Sequence, residues 1–323
     1  MKAICVFSGG LDSMLAAELI RAQGIDVLAL FFETPFFTAD RALISARSMN
    51  LPFKVVNITE RHLEVVKNPK HGYGGNMNPC IDCHALMFRI AGEMLESEDA
   101  AFVFSGEVMG QRPMSQNKKA LALVAKESGL HGLLLRPLSA KCLTPTIPET
   151  EKWVKRDQLL GIQGRSRKPQ MNLAAELNLG DYPSPAGGCL LTERGFSRRL
   201  KDLLSNNSEV IVNHLESLKL GRHFRINDHV KIVVGRNKRE NDKLKKLAMK
   251  EDVVLNTVSV PGPVVLMLGN SFGEAIDPAV QITLSYSDAP EGEVQEVRVS
   301  GPGMERTVSE TVPDKKDFKG FMI

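Results

Sequence analysis

The chain has 323 residues, of which 43% are hydrophobic and 24% charged, with a formal net charge of +3. That is room for two domains of ordinary size with real apolar cores, and neither an internal repeat nor a low-complexity segment occurs. The N-terminus has no basic stretch leading into a long apolar run, and the chain contains no run of about 18 apolar residues, so neither a signal peptide nor a membrane span is expected. Five cysteines, two of them in a Cys-x-x-Cys, then point to metal or redox chemistry rather than disulfides, in a cytoplasmic protein. Charge is uneven along the chain. Residues 1–193 hold 21 Lys and Arg against 20 Asp and Glu, residues 194–250 hold 15 against 6, and residues 251–323 hold 5 against 12. The basic block suits a polyanion such as RNA, and a solvated helical face balanced by the acidic tail accounts for it equally well.

In chain order, residues 3–7 form an apolar run of strand length that ends in a Gly-rich turn. Residues 14–20 come next with helical spacing, and Gly24 stops them. A second strand is predicted at 27–32, a helix at about 40–49 and a third strand at 53–58. Next come a helix at 86–96, strands at 101–105 and 133–135, and a helix at 149–160. Strands alternating with helices predict an α/β domain, with a doubly wound parallel sheet, over about 1–175. Residues 176–221 connect it to a second domain: 181–193 is a Pro- and Gly-rich connector and 194–220 a basic helical hairpin. Residues 222–323 predict that second, smaller α+β domain. Its strands fall at 230–234, 253–258, 264–268, 280–284 and 294–299, with one helix at about 240–249.

The turn after the first strand reads Ser8-Gly9-Gly10-Leu11-Asp12-Ser13. Two adjacent glycines let a backbone approach phosphate and present N–H groups, while the helix after them offers its positive N-terminus. Ser8 and Ser13 add hydroxyl donors, and Asp12 is placed to hold Mg²⁺ against the phosphates. No G-x-x-x-x-G-K-[ST] string is present, so this is not a Walker-type loop. Asn78-Pro79-Cys80-Ile81-Asp82-Cys83-His84 begins at a Pro-capped turn and leads into a helix, whose N-terminus lowers thiol pKa values. Cys80 and Cys83 alone fit a zinc half-site, a redox pair or a cluster half-site. Cys189 comes after Gly187 and Gly188, which let its backbone come close to another group. Three thiolates without a fourth suit a 4Fe–4S cluster with one open iron better than structural zinc, which takes four ligands. Cys142 is the rival third ligand, Cys5 a buried structural thiol, and His84 a capping residue rather than a fourth ligand.

The S-G-G-x-D-S string resembles the PP-loop of the ATP-pyrophosphatase superfamily, with its adenine nucleotide alpha-hydrolase-like fold. The resemblance implies ATP as co-substrate, attack on the α-phosphate, release of pyrophosphate and an adenylated intermediate. It also implies an adenine pocket lined by the second strand, with Phe31 among its residues. Ser105-Gly106-Glu107-Val108-Met109-Gly110-Gln111 with Ser115-Gln116, and Arg136-Pro137-Leu138 after them, resemble segments of tRNA 4-thiouridine synthases. Ser105, Gly106 and Gln111 should therefore lie at the nucleotide. With the cysteines, the resemblance extends to cluster-dependent tRNA thiolation enzymes, and Asp12, Cys80, Cys83 and Cys189 become the candidate catalytic residues. Related sulfurtransferases without a cluster use two cysteines as a persulfide and disulfide pair.

Val234-Gly235-Arg236-Asn237 with Asn241-Asp242, then Val260-Pro261-Gly262, resembles the NFACT-R domain of ribosome-quality-control proteins and implies RNA binding. The aromatic-His pair expected before the V-P-G segment is replaced by Leu255-Asn256. Arg165, Arg167, Lys168, Arg236, Lys238 and Arg239 are the candidate RNA contacts, of the kind that positions RNA without reading its sequence. The function implied is ATP-dependent tRNA sulfur transfer, making 4-thiouridine. Its partners are tRNA or other RNA, a sulfur donor (sulfide or a carrier protein) and a second copy of the chain in a homodimer. Two alternatives stand beside it: an ATP-dependent amidotransferase or ligase on a small molecule with zinc on the cysteines, and a non-catalytic RNA-binding factor.

Overall fold

The computed structural model describes all 323 residues except 181, 183–188, 207–209 and 270–271. It divides into two compact units, Met1–Thr192 and Glu193–Ile323. In chain order the first unit runs β1 (Lys2–Val6), α1 (Leu11–Arg21), β2 (Asp26–Glu33), α2 (Asp40–Ser48), β3 (Phe53–Asn57), α3 (Thr59–Lys67), α4 (Cys80–Glu93), β4 (Phe102–Ser105), α5 (Lys118–Ser128), β5 (Leu134–Leu135), α6 (Ile147–Thr150) and α7 (Lys168–Glu176).

The five strands form one parallel sheet in the order β3-β2-β1-β4-β5. A parallel strand covered on both faces needs apolar residues at every position, and β1 meets this with Ala3, Ile4 and Cys5 all fully buried. Alternate residues then serve opposite cores. Ala3, Cys5, Ala29, Phe31, Phe102 and Phe104 pack with α1, whereas Ile4, Leu28, Leu30, Phe32 and Val103 pack with α4 and α5. Strand order reverses direction at β1, which lies between β2 and β4. The crevice beyond the carboxyl ends of β1 and β4 is thus the switch point where open α/β sheets bind ligands.

The second unit contains α8 (Arg194–Asn206), α9 (Val212–Ser217), β6 (Arg222–Asn227), β7 (Val230–Val234), α10 (Lys238–Leu247), β8 (Val253–Thr257), β9 (Val264–Gly269), α11 (Ile276–Ser285), β10 (Val294–Gly301) and β11 (Met304–Thr311). Its sheet is antiparallel, in the order β11-β10-β8-β9-β7-β6. Helix α11 covers one face through Ile276, Ala279, Val280 and Leu284, and Leu244 of α10 packs into a separate cluster with Val233, Leu266 and Leu268. The basic hairpin 194–220 belongs to this second unit.

The structure corrects several of these expectations. The segment 280–284 is helical, not extended: Ile276, Ala279, Val280 and Leu284 recur at helical spacing and make the face the sheet needs covered. The helix expected at 149–160 shrinks to the single turn of α6 and a 3₁₀ turn at Arg156–Gln158. Thr146 and Glu149 close a capping box around Pro148, and Lys152 then takes a left-handed φ of 58°, which ends the helix. Helix α4 starts at Cys80, not at 86, because its first turn carries Cys, Asp and His rather than apolar residues. Helices α3, α5 and α7 and strands β6 and β11 are additions to the expected elements. β11 hides few of its residues, so it has no apolar alternation to betray it.

A buried ion cluster fixes α8 to the second sheet. Asp202 accepts from Arg225 Nε at 2.9 Å and Nη2 at 2.7 Å, and from Lys231 Nζ at 2.9 Å. Lys231 is only 1% exposed. Burial draws its pKa down to about 8, against the pull of Asp202 in the other direction. Removing the anion from such a cluster leaves buried cations uncompensated, at a cost of about 3–5 kcal/mol. Asp202→Ala should therefore destabilise the second unit by that much in urea unfolding, and Asp202→Asn by less. An Asp202→Ala protein that unfolds like the wild type would contradict this account.

Candidate active site

The phosphate loop is shaped by Gly9, which takes a left-handed φ of +72°. A Cβ there would lie 2.5 Å from the Cα of Ala42 on α2, so only glycine lets the loop sit against that helix. Ser45 on the same helix donates to the Gly9 carbonyl at 2.8 Å. The Ser13 hydroxyl donates to the Gly10 carbonyl at 2.8 Å and is nearly buried. That bond holds the loop, and Ser13 lines the pocket together with exposed Ser8, whose Oγ lies 3.4 Å from that of Ser13. Asp12 Oδ2 accepts from Gln111 Nε2 at 2.9 Å, and Arg167 Nη2 lies 3.7 Å away. Asp12 Oδ1 is buried with no partner among the described residues. A buried carboxylate oxygen in this condition fits a hard cation such as Mg²⁺.

Gly106, at the end of β4, packs directly on the start of α1: a Cβ would stand 2.4 Å from the Asp12 carbonyl carbon. The next residue, Glu107, is 6% exposed and carries a full set of partners. Arg136 Nε donates to Oε2 at 2.8 Å, His84 Nδ1 lies 2.8 Å from Oε1, and Ser105 Oγ donates to Oε2 at 3.3 Å. Burial pushes this carboxyl up, but Arg136 and then His84 outweigh it and hold its pKa at about 2. Two sequence motifs, 105–116 and 136–138, are joined through this pair. His84 is occupied as the third member.

One pocket of about 410 Å³ opens at the switch point. Its lining includes Ser8, Asp12, Phe31, Ser105 and Gly106 together with Cys80, Cys83 and Cys189. The three cysteines thus share a cavity with the phosphate loop. Cys142 does not line it; its thiol donates to the Gly161 carbonyl at 3.3 Å. Gly187 and Gly188 lie outside the described residues. Burial drives the Cys83 thiol well up, and nearby Cys189, Cys80 and Asp82 push the same way. Burial raises the Cys80 thiol as well, so both are held protonated here rather than activated by the helix N-terminus, and a bound cation would favour their thiolate forms. Among the described residues, no three His, Cys, Asp or Glu side chains are grouped closely enough to hold a metal ion as they stand. The donor set fits an open-iron cluster in its chemistry, and closing it requires the three side chains to draw together.

No motif marks His62, on α3. It is fully buried, its Nε2 lies 2.9 Å from Cys83 Sγ, and its ring packs 5.5 Å from those of Phe36 and Phe37. Burial draws its pKa down to about 4, so the ring is neutral at pH 7. Arg41 and Arg112 also line the pocket unannounced, since single arginines outside a motif carry no signal.

The RNA candidates divide. Arg167 faces Asp12 rather than solvent, while Arg165 and Lys168 are set differently: Arg165 is exposed, and Lys168 opens α7. In the second unit Arg236 is tied to Glu240 by its Nε at 3.0 Å. Lys238 and Arg239 are exposed in the first turn of α10, where cations oppose the helix dipole and so serve something other than helix stability. The remaining motif residues hold the loop: Asn237 caps α10, and a Cβ on Gly235 would meet Asn241 Oδ1.

Residues 1–142 match the family model described as thiamine biosynthesis protein (ThiI), and residues 221–319 match that of the NFACT protein RNA binding domain. The two matches fall at opposite ends of the chain and leave residues 143–220 outside both. A probable tRNA sulfurtransferase of Anoxybacillus flavithermus is 25% identical over 183 residues, 46% of this chain and 45% of that protein. A tRNA-specific 2-thiouridylase of Karelsulcia muelleri is 30% identical over 131 residues, 36% of this chain and 34% of its own. The chain spans half or less of the length of these relatives. A solved 4-thiouridine synthetase–RNA complex with bound ATP is similar at 21% identity and a TM-score of 0.36, over 55% of this chain and 51% of that one.

Arg136→Ala leaves Glu107 buried without its guanidinium partner, and should cost about 3–5 kcal/mol at pH 7. Glu107 is held below its ordinary pKa, so its stabilisation is complete above about pH 4.5 and is lost as pH falls toward 2. The stability gap between wild type and variant, read from urea unfolding, should therefore narrow below about pH 4.5. A gap of constant size from pH 7 to pH 3 would contradict this.

Proposed function

We propose that the protein is an ATP-dependent tRNA sulfurtransferase that converts a uridine carbonyl, at C4, to a thiocarbonyl. The observation that carries this reading is the sharing of one pocket by the phosphate loop and Cys80, Cys83 and Cys189. A nucleotide-activating loop needs its nucleophile within reach of the activated atom, and three thiols around that point suit sulfur. The match of residues 1–142 and the name of the Anoxybacillus relative support the same reaction. RNA as acceptor is supported by the second unit's match to an RNA-binding domain and by exposed Lys238 and Arg239.

In this reading the N–H groups of the Gly9–Gly10 loop and the N-terminus of α1 bind the phosphates. Asp12 Oδ1 takes Mg²⁺, and Leu30, Phe31 and Phe32 line the adenine side. The carbonyl oxygen of uridine attacks the α-phosphorus and pyrophosphate departs. Sulfur then adds at the same carbon, the C–O bond breaks, and AMP leaves with the oxygen. A 4Fe–4S cluster on Cys80, Cys83 and Cys189 would supply the iron at which sulfide from a donor is held. The buried His84–Glu107–Arg136 set keeps the first turn of α4, and hence Cys80 and Cys83, against the nucleotide end of the sheet. Among the described residues no helix is long and apolar enough to cross a membrane, and a tRNA substrate places the reaction in the cytoplasm.

Two measurements test this. Mass spectrometry of total tRNA nucleosides from a deletion strain should show loss of 4-thiouridine, and an unchanged profile refutes the reading. In purified protein, Asp12→Ala should abolish RNA-stimulated pyrophosphate release. Cys80→Ala, Cys83→Ala and Cys189→Ala should instead retain that release and lose thiolation. Anaerobic purification should yield iron and acid-labile sulfide; zinc in their place favours the small-molecule ligase alternative.

A further inference from the structure

The pocket contains two guanidinium groups that belong to neither the phosphate-loop motif nor the cysteine motif. Arg41 and Arg112 are both exposed and both line the cavity, and among the described residues neither forms an ion pair. They stand on different elements. Arg41 is on α2, next to Ala42, on which Gly9 packs, and so it belongs with the phosphate loop. Arg112 is in the loop after β4, and its positive charge is felt at Cys80.

The mounting of Arg112 is braced although its head group has no ion-pair partner among the described residues. Gln111, one residue earlier, donates to Asp12 Oδ2 at 2.9 Å and accepts from Gln170 Nε2 at 3.1 Å. The Arg112 carbonyl accepts from the Gln116 N–H at 2.9 Å, and the Gly110 N–H donates to the Gln116 carbonyl at 2.7 Å. A fixed backbone that carries an unpaired guanidinium into a cavity is pre-organised for an anion, and a planar fork of donors matches phosphate. The pocket's own carboxylates do not supply that anion. Glu107 is saturated by Arg136 and His84, and Asp12 is engaged by Gln111 and faced by Arg167. In the proposed reading the Gly9–Gly10 loop takes the triphosphate, with Arg41 beside it on α2. The cysteine side thus has a guanidinium open to a second anion.

We infer that Arg112 binds a backbone phosphate of the acceptor RNA, next to the nucleotide presented to the pocket, and so orients the target base between the phosphate loop and Cys80. The inference rests on the sulfurtransferase reading and adds the residue that positions the acceptor within the first unit, apart from any contact made by the second. The same phosphate chemistry is offered by ATP, so the test separates the two sources.

The experiment uses the full chain, with tRNA affinity measured across a salt series and the affinity of a non-hydrolysable ATP analogue measured in parallel. Arg112→Ala should weaken tRNA binding about tenfold and reduce the slope of log affinity against log salt by about one. Affinity for the analogue should stay within about twofold. Arg112→Lys should recover the salt slope, because it restores the charge, but only part of the affinity, because it lacks the fork. Wild-type tRNA affinity and slope in Arg112→Ala would overturn the inference alone. A loss confined to the ATP analogue would also overturn it and assign the guanidinium to the triphosphate. If the wild-type protein binds no tRNA, the sulfurtransferase reading falls and this inference with it.

Discussion

A carboxylate cut off from water must find its counter-charges inside the protein, and Glu107 finds them on two other stretches of chain. Arg136 reaches it from just beyond β5 and His84 from the first turn of α4. Breaking any one contact would leave a charge in a site where desolvation is not repaid. The three segments are therefore bound to one another at a fixed separation. The consequence for the site is direct, because Cys83 is the residue before His84 and Gly106 the residue before Glu107. Through Gly106 the same point touches the start of α1 and the phosphate loop. A single buried anion thus sets how far the thiols stand from the nucleotide-binding backbone.

The thiols and the loop place opposite demands on their surroundings. A phosphate loop wants N–H groups and cations, while three thiols on one cavity wall are hard to ionise together. The pocket meets both by grading its walls. Ser8, Ser13 and Arg41 line it on the loop side, and Cys83, backed by neutral His62 on which Phe36 and Phe37 pack, lines it on the other. Arg112 adds positive charge toward Cys80, and no carboxylate among the described residues quenches it. The cysteines and the glycine-rich loop thereby meet at one cavity through different side chains.

The second unit spends its charges differently. Asp202, Arg225 and Lys231 are consumed in attaching α8 to the sheet, and Arg236 in bracing the turn before α10. A count of basic residues over 194–250 therefore overstates what is presented to a polyanion. Lys238 and Arg239 remain exposed at a helix end that gains nothing from them. The aromatic-His position occupied by Leu255 and Asn256 lies on β8, where Leu255 is fully buried in the sheet's core.

The phosphate loop and the parallel sheet were legible in the sequence because both are local. Ser8 to Ser13 is contiguous, the glycines act through their own backbone, and uninterrupted apolar runs mark strands buried on two faces. The Cys-x-x-Cys was legible for the same reason, and so was the V-G-R-N turn. Other features were decided across the chain. That Cys189 and not Cys142 shares the cavity depends on folding residues more than 100 positions apart into one wall. Segment 280–284 became a helix because a sheet face had to be covered, and β-branched residues serve helix or strand according to what they pack on. His62, Arg41 and Arg112 had no motif to mark them, since a lone side chain acquires a role only from the neighbours that tertiary packing supplies.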